Sequence, residues 1–205
     1  MQIILARHGQ TTANAEKRFQ GHRDYPLNAV GQQQARQLAP LLAQYAPGRI
    51  FTSDLIRSVE TARPAAGLLG LQPKASPVFR EYCWGELEGL SWPEIKERYP
   101  ALFTRLRRDL RSADIPGQEP QEAFHRRIRE GLSLLLNRHN PPTVALVGHG
   151  RYLNALVVEF LGLDFSGPWP FSFSSAAVTV LNAGNHTRRL IKFNEECHLT
   201  GEQYD

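Results

Sequence analysis

A chain of 205 residues with 41% hydrophobic and 21% charged residues has the composition of a folded globular protein, which excludes a disordered or fibrous one. Its 24 Lys and Arg against 20 Asp and Glu give a net charge of +4, which favours an anionic ligand, but there is no reading motif for nucleic acid and we expect no nucleic-acid partner. Two cysteines are too few for a disulfide scaffold, and the first residues lack a secretory signal, so we expect a cytoplasmic protein. No apolar run reaches the roughly 18 residues of a membrane span, so we expect no membrane partner.

Apolar runs and helical patterns alternate at the start of the chain. The run "QIILA" at 2–6 is typical of a buried strand, and "GQQQARQLAPLLAQY" at 31–45 repeats its apolar residues at helical spacing. The run "RIFTS" at 49–53 predicts a second strand. This order indicates an α/β fold with a largely parallel sheet.

The stretch "DLIRSVETARPAAGLLG" at 54–70 predicts the next helix. Ser53 or Asp54 is the expected N-cap, because a short polar side chain can accept hydrogen bonds from the first free N–H groups. Gly70 is expected just past the helix end, where a left-handed backbone favours glycine.

The segment from about 91–139 is mainly helical in pattern and is interrupted by "ADIPGQEP". It predicts a helical cap inserted over the site. Because the chain has neither an internal repeat nor a clear linker, we expect residues 1–205 to form a single domain.

The last third of the chain repeats the strand-then-helix order. The stretch "TVALVGHG" predicts a strand, and "RYLNALVVEFLGL" predicts the helix after it. The runs "AVTVLN" and "RRLIKFN", separated by "AGNHT", predict an antiparallel hairpin at the sheet edge. The expected fold is a three-layer α/β sandwich with a mostly parallel central sheet, an antiparallel edge strand and the helical cap insertion.

Three predicted strands end close to residues that bind anions. Arg7 and His8 follow "IILA", Arg57 lies on the helix after "RIFTS", and His149 and Gly150 follow "VALVG". In open α/β sheets, ligands bind beyond the carboxyl ends of the strands. We therefore expect these residues to converge on one face.

A phosphomonoester is a ligand that suits these side chains. Two guanidinium groups and a second histidine supply fixed donors to its negative charge without a metal ion. Their charges disfavour protonation of His8, so that one ring nitrogen can attack phosphorus while the other donates to a carbonyl. Gly9 is expected to leave room for the phosphoryl oxygens.

The leaving alkoxide needs a proton, which a carboxyl group can supply. Glu81 in "FREYCWGELEG" is the first candidate for this general acid, and Glu86 and Glu88 in the same turn-rich stretch are the alternatives.

A family resemblance rests on six ordered stretches, which are "ARHGQTTAN", "FQGHRDYPLNAVGQQQA", "TSDLIRSVETA", "REYCWGELEG", "PGQEP" and "ALVGHG". Together they span nearly the whole chain and resemble the histidine phosphatase superfamily, also called the phosphoglycerate-mutase-like family. The length and the ending "KFNEECHL" resemble its small bacterial branch, which includes α-ribazole phosphatases and broad-specificity phosphatases.

The resemblance implies a metal-independent enzyme without a cofactor that hydrolyses small-molecule phosphomonoesters through a phosphohistidine on His8. It implies that Arg7, Arg57 and His149 hold the phosphoryl group and that Glu81 donates the proton. Residues implied to line the substrate site are Asn14, Gln20, Gly21 and Gly150.

Two alternatives share the same pocket. One is a cofactor-dependent phosphoglycerate mutase, but such mutases carry "ERHYG" at the acid and a longer intervening segment, whereas this chain reads "EYCWG". This departure favours a phosphatase. The other is a non-catalytic phosphate-binding or scaffold protein, which the presence of every expected catalytic residue disfavours.

Several other side chains have two interpretations each. The remaining histidines show no metal-ligand spacing, so we expect no metal site. We also expect a monomer or homodimer that binds only its small substrate. The basic stretches "RLRRDLR" and "HRRIRE" are interpreted as exposed helix faces. Aromatic residues interpreted as core or as pocket lining are Trp84, Trp92, Tyr99 and Phe103. Cap arginines interpreted as a solvated face or as ligands of a second acidic group are Arg105, Arg107, Arg108 and Arg111.

Overall fold

A computed structural model describes the chain at residues 1–108, 114–164, 169–185 and 187–200. Within these ranges six strands form one sheet. In chain order they are β1 (Gln2–Arg7), β2 (Arg49–Thr52), β3 (Lys74–Ala75), β4 (Thr143–Gly148), β5 (Val178–Ala183) and β6 (Arg188–Glu195).

The sheet has the order β3-β2-β4-β1-β5-β6. Strands β3, β2, β4 and β1 run parallel, β5 runs antiparallel to β1, and β6 pairs antiparallel with β5 at the edge. This arrangement confirms the mostly parallel sheet and the antiparallel hairpin at its edge. The register pairs Arg7 with Gly148, so the residues that follow β1 and β4 emerge side by side.

Helices cover both faces of the sheet. Two single 3₁₀ turns, Pro77–Phe79 and Gly85–Leu87, lie between β3 and the fourth helix. The helices in the described ranges are α1 (Thr12–Ala15), α2 (Ala29–Gln44), α3 (Ile56–Leu69), α4 (Trp92–Arg98), α5 (Pro100–Arg108), α6 (Gln121–Leu135) and α7 (Gly150–Leu161).

Successive residues of the central strands face opposite sides of the sheet. Ile3 and Leu5 pack with α6 and α7 in one apolar cluster, while Ile4 and Ala6 pack with α2 and α3 in another. Side chains alternate in this way along any strand, so a strand that is apolar at every position has to be covered on both faces. The three-layer sandwich is therefore confirmed.

The segment predicted as a cap contains α4, α5 and α6, and its residues 109–113 lie outside the described part of the chain. Ile95 of α4 and Leu106 of α5 are buried in the same apolar cluster as α6 and α7. The division into one domain with a cap insertion stays a prediction.

The two cysteines, Cys83 and Cys197, are free thiols. Across the described ranges we find no helix that combines the length and the apolar character needed to cross a membrane.

The predicted N-cap of α3 is wrong. Its N-cap residue is Leu55, which provides no side-chain cap. Ser53 Oγ lies 2.7 Å from His149 Nε2, and Asp54 accepts two hydrogen bonds from Arg80 at 2.6 and 2.7 Å. Both predicted caps are thus held by partners far away in the sequence.

A distant carboxylate replaces the missing cap. Asp24 Oδ1 accepts a hydrogen bond of 2.7 Å from the backbone N–H of Ile56, the first residue of α3. The other end of the helix agrees with the prediction, because Gly70 takes the left-handed conformation with φ of 64°. The loop before α2 therefore fixes where α3 begins.

Replacing Asp24 with alanine is expected to lower the free energy of unfolding by about 0.5–2 kcal/mol, the usual range for loss of a helix cap. Asp24→Asn keeps an acceptor oxygen and should lose less. Urea unfolding of the three proteins measures the difference, and equal stability of Asp24→Ala and the unmutated protein would contradict the assigned cap.

Candidate active site

A pocket of about 330 Å³ opens at the carboxyl ends of β1 and β4. The structure brings together eight of the nine residues predicted for the site, and the ninth, His149, contacts His8 and Arg57. The eight residues that line the pocket are Arg7, His8, Asn14, Gln20, Gly21, Arg57, Glu81 and Gly150.

His8 is almost fully buried at this pocket, with 3% of its surface exposed. Its Nδ1 lies 2.7 Å from the Gly9 carbonyl oxygen, and because a carbonyl can only accept, Nδ1 is the protonated nitrogen. Burial, followed by the charges of Arg57 and Arg7, holds the pKa of His8 well below its usual value of 6.5. The ring is therefore neutral, and Nε2 carries a free lone pair.

Gly9 has a different reason to be glycine from the one predicted. A Cβ at Gly9 would lie 2.6 Å from the carbonyl oxygen of Gly31, in the first turn of α2. A Cβ at Gly31 would in turn clash with the carbonyl oxygen of Gln10. The absent side chain admits the backbone of α2 rather than phosphoryl oxygens, so that expectation is wrong.

Arg57 projects from the first turn of α3 and has no exposed surface. It donates to the carbonyl oxygens of Gly21 and Arg23, each at 2.8 Å, and its Nε donates to His149 Nδ1 at 3.2 Å. Burial lowers the pKa of Arg57 to about 10, so it stays charged at neutral pH. A guanidinium has five N–H groups, so these three bonds leave two unused in a residue that lines the pocket.

His149 forms the N-cap position of α7 and is fully buried. Its ring lies 5.2 Å from the ring of His8, centroid to centroid. Because Arg57 Nε donates to Nδ1, the neutral ring carries its proton on Nε2, which donates to Ser53 Oγ at 2.7 Å. Burial and then the charge of Arg57 lower the pKa of His149 well below 6.5.

Glu81 lines the pocket and binds the start of α7. Oε1 accepts from the N–H groups of Tyr82 and Tyr152 at 2.8 and 3.0 Å, and Oε2 accepts from the N–H of Arg151 at 3.0 Å. Free N–H groups in the first turn of a helix are natural partners of a carboxylate. The carboxylate is thereby fixed next to the first turn of the helix that follows His149.

The two alternative acids do not line the pocket. Glu88 accepts hydrogen bonds from the backbone N–H groups of His22, Arg23 and Trp84. The carboxylate of Glu86 lies 3.3 Å from the hydroxyl of Tyr99. Glu88 therefore has a structural role in the turn.

The backbone that carries Glu81 is held by Arg127, a residue that the sequence analysis placed on an exposed helix face. Arg127 donates to the carbonyl oxygens of Val78, Arg80 and Glu81 at 3.0, 2.6 and 3.2 Å. It also forms a two-bond ion pair with Glu119 at 2.7 and 2.9 Å, with both side chains at least 85% buried. The interpretation of Arg127 as an exposed residue is therefore wrong, because this side chain joins α6 to the loop that carries Glu81.

Two amide side chains of the site share one neighbour. Thr11 Oγ1 lies 3.0 Å from Asn14 Oδ1 and from Gln20 Oε1. An oxygen that accepts from Thr11 leaves the NH₂ group of the same amide as the donor. The backbone N–H of Thr11 also donates to Asn14 Oδ1 at 3.1 Å, so the NH₂ group of Asn14 is a donor at the pocket. The single hydroxyl proton of Thr11 serves one oxygen at a time and does not fix Gln20 in the same way.

The local backbone requires glycine at one of the two predicted site glycines and not at the other. Gly21 has a φ of +52°, and a Cβ there would clash with Glu88 Oε1. Its carbonyl oxygen accepts from Arg57. A Cβ at Gly150 would meet Arg7 only at 3.7 Å, an ordinary contact. The local backbone therefore requires glycine at Gly21 but not at Gly150.

Some aromatic residues line the pocket and others pack behind them. Trp84 and Trp92 line it together with Phe19, whose ring lies 5.1 and 5.2 Å from theirs. Phe103 packs on Trp92 at 5.8 Å, and neither it nor Tyr99 lines the pocket. Both interpretations of the aromatic residues therefore hold, each for two of the four.

The cap arginines contribute no described side chain to the pocket. Arg105 and Arg107 are exposed and do not line it. Arg111 lies outside the described residues, as do the side chain of Arg108 and all of His186. Among the residues that the structure describes, no group of three or more His, Cys, Asp or Glu side chains could hold a metal ion.

The sequence analysis missed three cationic residues of the pocket wall. They are Lys17, Arg18 and Arg151. Arg151 directly follows the motif "GHG". This position could have indicated a site residue, but the sequence analysis assigned Arg151 only to the helix that follows. Lys17 follows the motif "ARHGQTTAN" by three residues.

Comparison with known proteins identifies similar sequences. The chain matches the Histidine phosphatase superfamily (branch 1) over residues 3–196. It is 29% identical over 204 residues to Phosphoserine phosphatase 1 of Hydrogenobacter thermophilus, covering 100% of this chain and 96% of that protein. It is 34% identical over 163 residues to "Probable phosphoglycerate mutase GpmB" of Enterobacter sp., covering 80% of this chain and 76% of that protein.

A solved structure has a similar fold. The crystal structure of the Alpha-ribazole Phosphatase from Shigella flexneri matches with a TM-score of 0.87, covers 99% of this chain and 100% of that chain, and is 24% identical. At this identity the similarity concerns the fold, and it agrees with the mixed sheet between two helical layers.

Arg127→Lys is expected to lower the free energy of unfolding by about 2–3 kcal/mol, because an ammonium group cannot replace the fork that binds three carbonyls and a buried carboxylate. Arg126→Lys is the matched control, since Arg126 is its exposed neighbour on α6. Chemical denaturation measures both. Equal losses in the two variants would contradict the role given to Arg127.

Lowering the pH below about 6.5 is expected to destabilise the protein, because His8 and His149 stay neutral when folded but take up protons when unfolded. Their contribution is complete above the unfolded pKa and is lost as the pH falls, by up to about 1.4 kcal/mol per pH unit for each histidine.

Urea unfolding at a series of pH values measures this dependence. In His8→Asn the slope of unfolding free energy against pH should fall by the equivalent of about one proton. A slope unchanged in that variant would show that His8 is protonated in the folded protein.

Proposed function

The chain belongs to the histidine phosphatase superfamily, and on this premise we propose that it hydrolyses small-molecule phosphomonoesters through a phosphohistidine on His8, without a metal ion. The superfamily and the enzyme class expected from the six sequence motifs are thereby confirmed. The mechanism and the residue roles are the proposal. The observation that carries it is the neutral His8 ring in the pocket, with Nδ1 donating to Gly9 and Nε2 free.

In the first step Nε2 of His8 attacks phosphorus in line with the ester oxygen. The N–P bond forms as the P–O ester bond breaks, and the departing oxygen takes a proton from Glu81. Among the described side chains Glu81 is the one carboxyl group that lines the pocket, which is why it is proposed as the general acid.

In the second step a water molecule attacks the phosphohistidine. Glu81, now a carboxylate, accepts a proton from this water, the N–P bond breaks, and phosphate leaves. His8 returns to its neutral form with Nδ1 still bound to Gly9. The same carboxyl group thus donates a proton in one step and recovers it in the next.

Fixed donors would hold the phosphoryl oxygens during both steps. Arg57 lines the pocket and has two N–H groups that its three described bonds do not use, Arg7 lines it with Nη1 anchored on the Phe173 carbonyl, and Asn14 presents its NH₂ group. Donors that are already oriented stabilise developing charge without reorganising. His149 can join them as a donor only when its proton lies on Nδ1, with the Ser53 hydroxyl donating to Nε2 and Arg57 Nε no longer donating to Nδ1.

A phosphoglycerate mutase is the second candidate function. The 34% identity to a relative with that name supports it. The relative named Phosphoserine phosphatase 1, which covers the whole chain, supports hydrolysis. A mutase interconverts phosphoglycerates faster than it releases phosphate and is stimulated by the bisphosphate, so net phosphate release without stimulation distinguishes the two.

The protein is expected to hydrolyse p-nitrophenyl phosphate in excess EDTA, and His8→Ala should lower kcat by about 10⁴-fold or more, as loss of a nucleophile does. His139→Ala, a change at an exposed histidine that does not line the pocket, is the control. A phosphorylated substrate should leave an acid-labile, base-stable label on His8. Turnover that EDTA abolishes, or that His8→Ala leaves intact, would refute the proposal.

Glu81→Gln is expected to depend on the leaving group. An alkyl phosphate needs a proton on its departing oxygen and should lose about 10²–10⁴-fold in kcat, the usual contribution of general acid catalysis. Hydrolysis of p-nitrophenyl phosphate should lose much less, because p-nitrophenolate leaves without a proton. Equal losses for both substrates in steady-state assays would exclude the acid role.

A further inference from the structure

The two backbone N–H groups that follow His8 are both bound by side chains from helices. The N–H of Gly9 donates to Thr61 Oγ1 on α3 at 3.0 Å. The N–H of Gln10 donates to Gln34 Oε1 on α2 at 2.8 Å. Thr61 and Gln34 are buried, and neither lines the pocket. Both side chains therefore act on the loop of the nucleophile and not on the substrate.

Gln34 binds the peptide unit that also binds the His8 ring. The Gly9 carbonyl and the Gln10 N–H are the two polar groups of one planar peptide, and in a trans peptide they point in opposite directions. The carbonyl accepts from His8 Nδ1 at 2.7 Å, and the N–H donates to Gln34 Oε1 at 2.8 Å. The peptide therefore joins the ring of the nucleophile to a side chain of α2 through two hydrogen bonds in series.

The two hydrogen bonds of this series strengthen each other. An N–H that donates to an acceptor polarises its peptide, which makes the carbonyl oxygen of the same peptide a better acceptor. The bond to Gln34 is buried, and such polarisation is stronger away from water. Gln34 thereby favours the proton on Nδ1 of His8, which is the tautomer that leaves the lone pair on Nε2.

The glycine at position 9 gives this restraint its importance. Glycine has more backbone freedom than any other residue, and a flip of the peptide between Gly9 and Gln10 would turn the N–H, instead of the carbonyl, towards the His8 ring. Nδ1 would then accept a hydrogen bond, and the ring proton would move to Nε2, where it blocks attack on phosphorus. Thr61 holds the preceding peptide and leaves this flip open. The bond to Gln34 is lost in the flip, so it opposes the inactive form.

The stretch "GQQQ" at 31–34 places Gln34 at this peptide. Gly31 and Gln34 are three residues apart and so lie on one face of α2. A Cβ at Gly31 would clash with the carbonyl oxygen of Gln10, so the missing side chain lets the helix approach the loop closely. Gln34, about one turn further along, then reaches the N–H of Gln10. The glycine sets the distance, and the glutamine supplies the acceptor.

We propose that Gln34 is a positioning residue that keeps the proton of the His8 ring on Nδ1 and its lone pair on Nε2. The inference rests on the proposed function, and it adds a residue of α2 that supports the nucleophile without contacting the substrate. An amide suits this role, because it accepts a hydrogen bond without adding a negative charge near a ring that has to stay neutral.

Three variants of Gln34 and one control test this role. Gln34→Met has a side chain of similar length without the amide acceptor. Gln34→Asn has the same amide on a side chain one carbon shorter, which cannot reach the N–H of Gln10 from the same backbone position. Gln34→Glu keeps an oxygen acceptor in either protonation state. Gln33→Met, at the exposed neighbour of Gln34 on α2, is the matched control.

Three measurements are made on each protein. The value of kcat/KM for p-nitrophenyl phosphate reports the steps up to transfer of the phosphoryl group to His8. The inhibition constant of inorganic phosphate reports the pocket, which Gln34 does not line. Nitrogen-15 spectra of histidine-labelled protein distinguish protonated from unprotonated ring nitrogens, and the signals missing in His8→Asn identify those of His8.

Gln34→Met and Gln34→Asn should each lower kcat/KM about tenfold, the scale for losing a buried hydrogen bond that orients a reacting group. The inhibition constant of phosphate should change less than about threefold, and part of the proton on the His8 ring should move from Nδ1 to Nε2. Gln34→Glu should keep the proton on Nδ1 and lose less activity than the other two. Gln33→Met should match the unmutated protein.

The outcomes separate this inference from the proposed function. Absence of p-nitrophenyl phosphate hydrolysis by the unmutated protein overturns the proposed function. Hydrolysis that Gln34→Met and Gln34→Asn leave unchanged overturns the role of Gln34 alone. A loss of activity with the His8 tautomer unchanged, or with an equal loss of phosphate binding, also overturns it, because Gln34 would then only support the fold. A proton on Nε2 of His8 in the unmutated protein overturns the inference without any variant.

Discussion

The burial of one guanidinium group organises the site. Arg57 has no exposed surface, and a cation removed from water has to be surrounded by acceptors. The carbonyls of Gly21 and Arg23 and the Nδ1 atom of His149 meet this need, so one side chain joins the loop before α2, helix α3 and the end of β4. The same desolvation strengthens the attraction of the remaining N–H groups for an anion, since charges interact more strongly away from water.

The surroundings of the two histidines keep both rings neutral. Burial is the largest cause of the lowered pKa of His8 and of His149, and the charges of Arg57 and Arg7 lower both further. Three carboxylates, Glu81, Asp24 and Glu88, offset the charge of Arg57, so a cation can lie buried beside a neutral nucleophile. A bound anion should stabilise the fold, because any ligand that binds only the folded state does so.

Local patterns predicted the fold and much of the site, and distant partners account for what they did not predict. Apolar runs and helical spacing depend on neighbours in sequence, so the strands and the layers followed from them. Ser53 was assigned to a helix cap because its neighbours are helical, but His149, 96 residues later, is its partner. Arg127 looked like a solvated residue in a basic run, since no pattern shows that Glu119 and three carbonyls surround it. Long-range polar contacts of this kind carry no periodic signal.

The contact between Gly9 and Gly31 is made by backbone on backbone, with no side chain between. A side chain can change rotamer to make room for a substitution, but a backbone cannot. A larger residue at either glycine would therefore push the two backbone segments apart. This contact fixes the loop that carries His8 against α2, and the hydrogen bond from the Gln10 N–H to Gln34 Oε1 at 2.8 Å adds to it. In a mutational scan, substitutions at these two glycines should lower activity as much as substitutions at residues that touch substrate. The cause would be displacement of His8, because neither glycine takes part in the reaction.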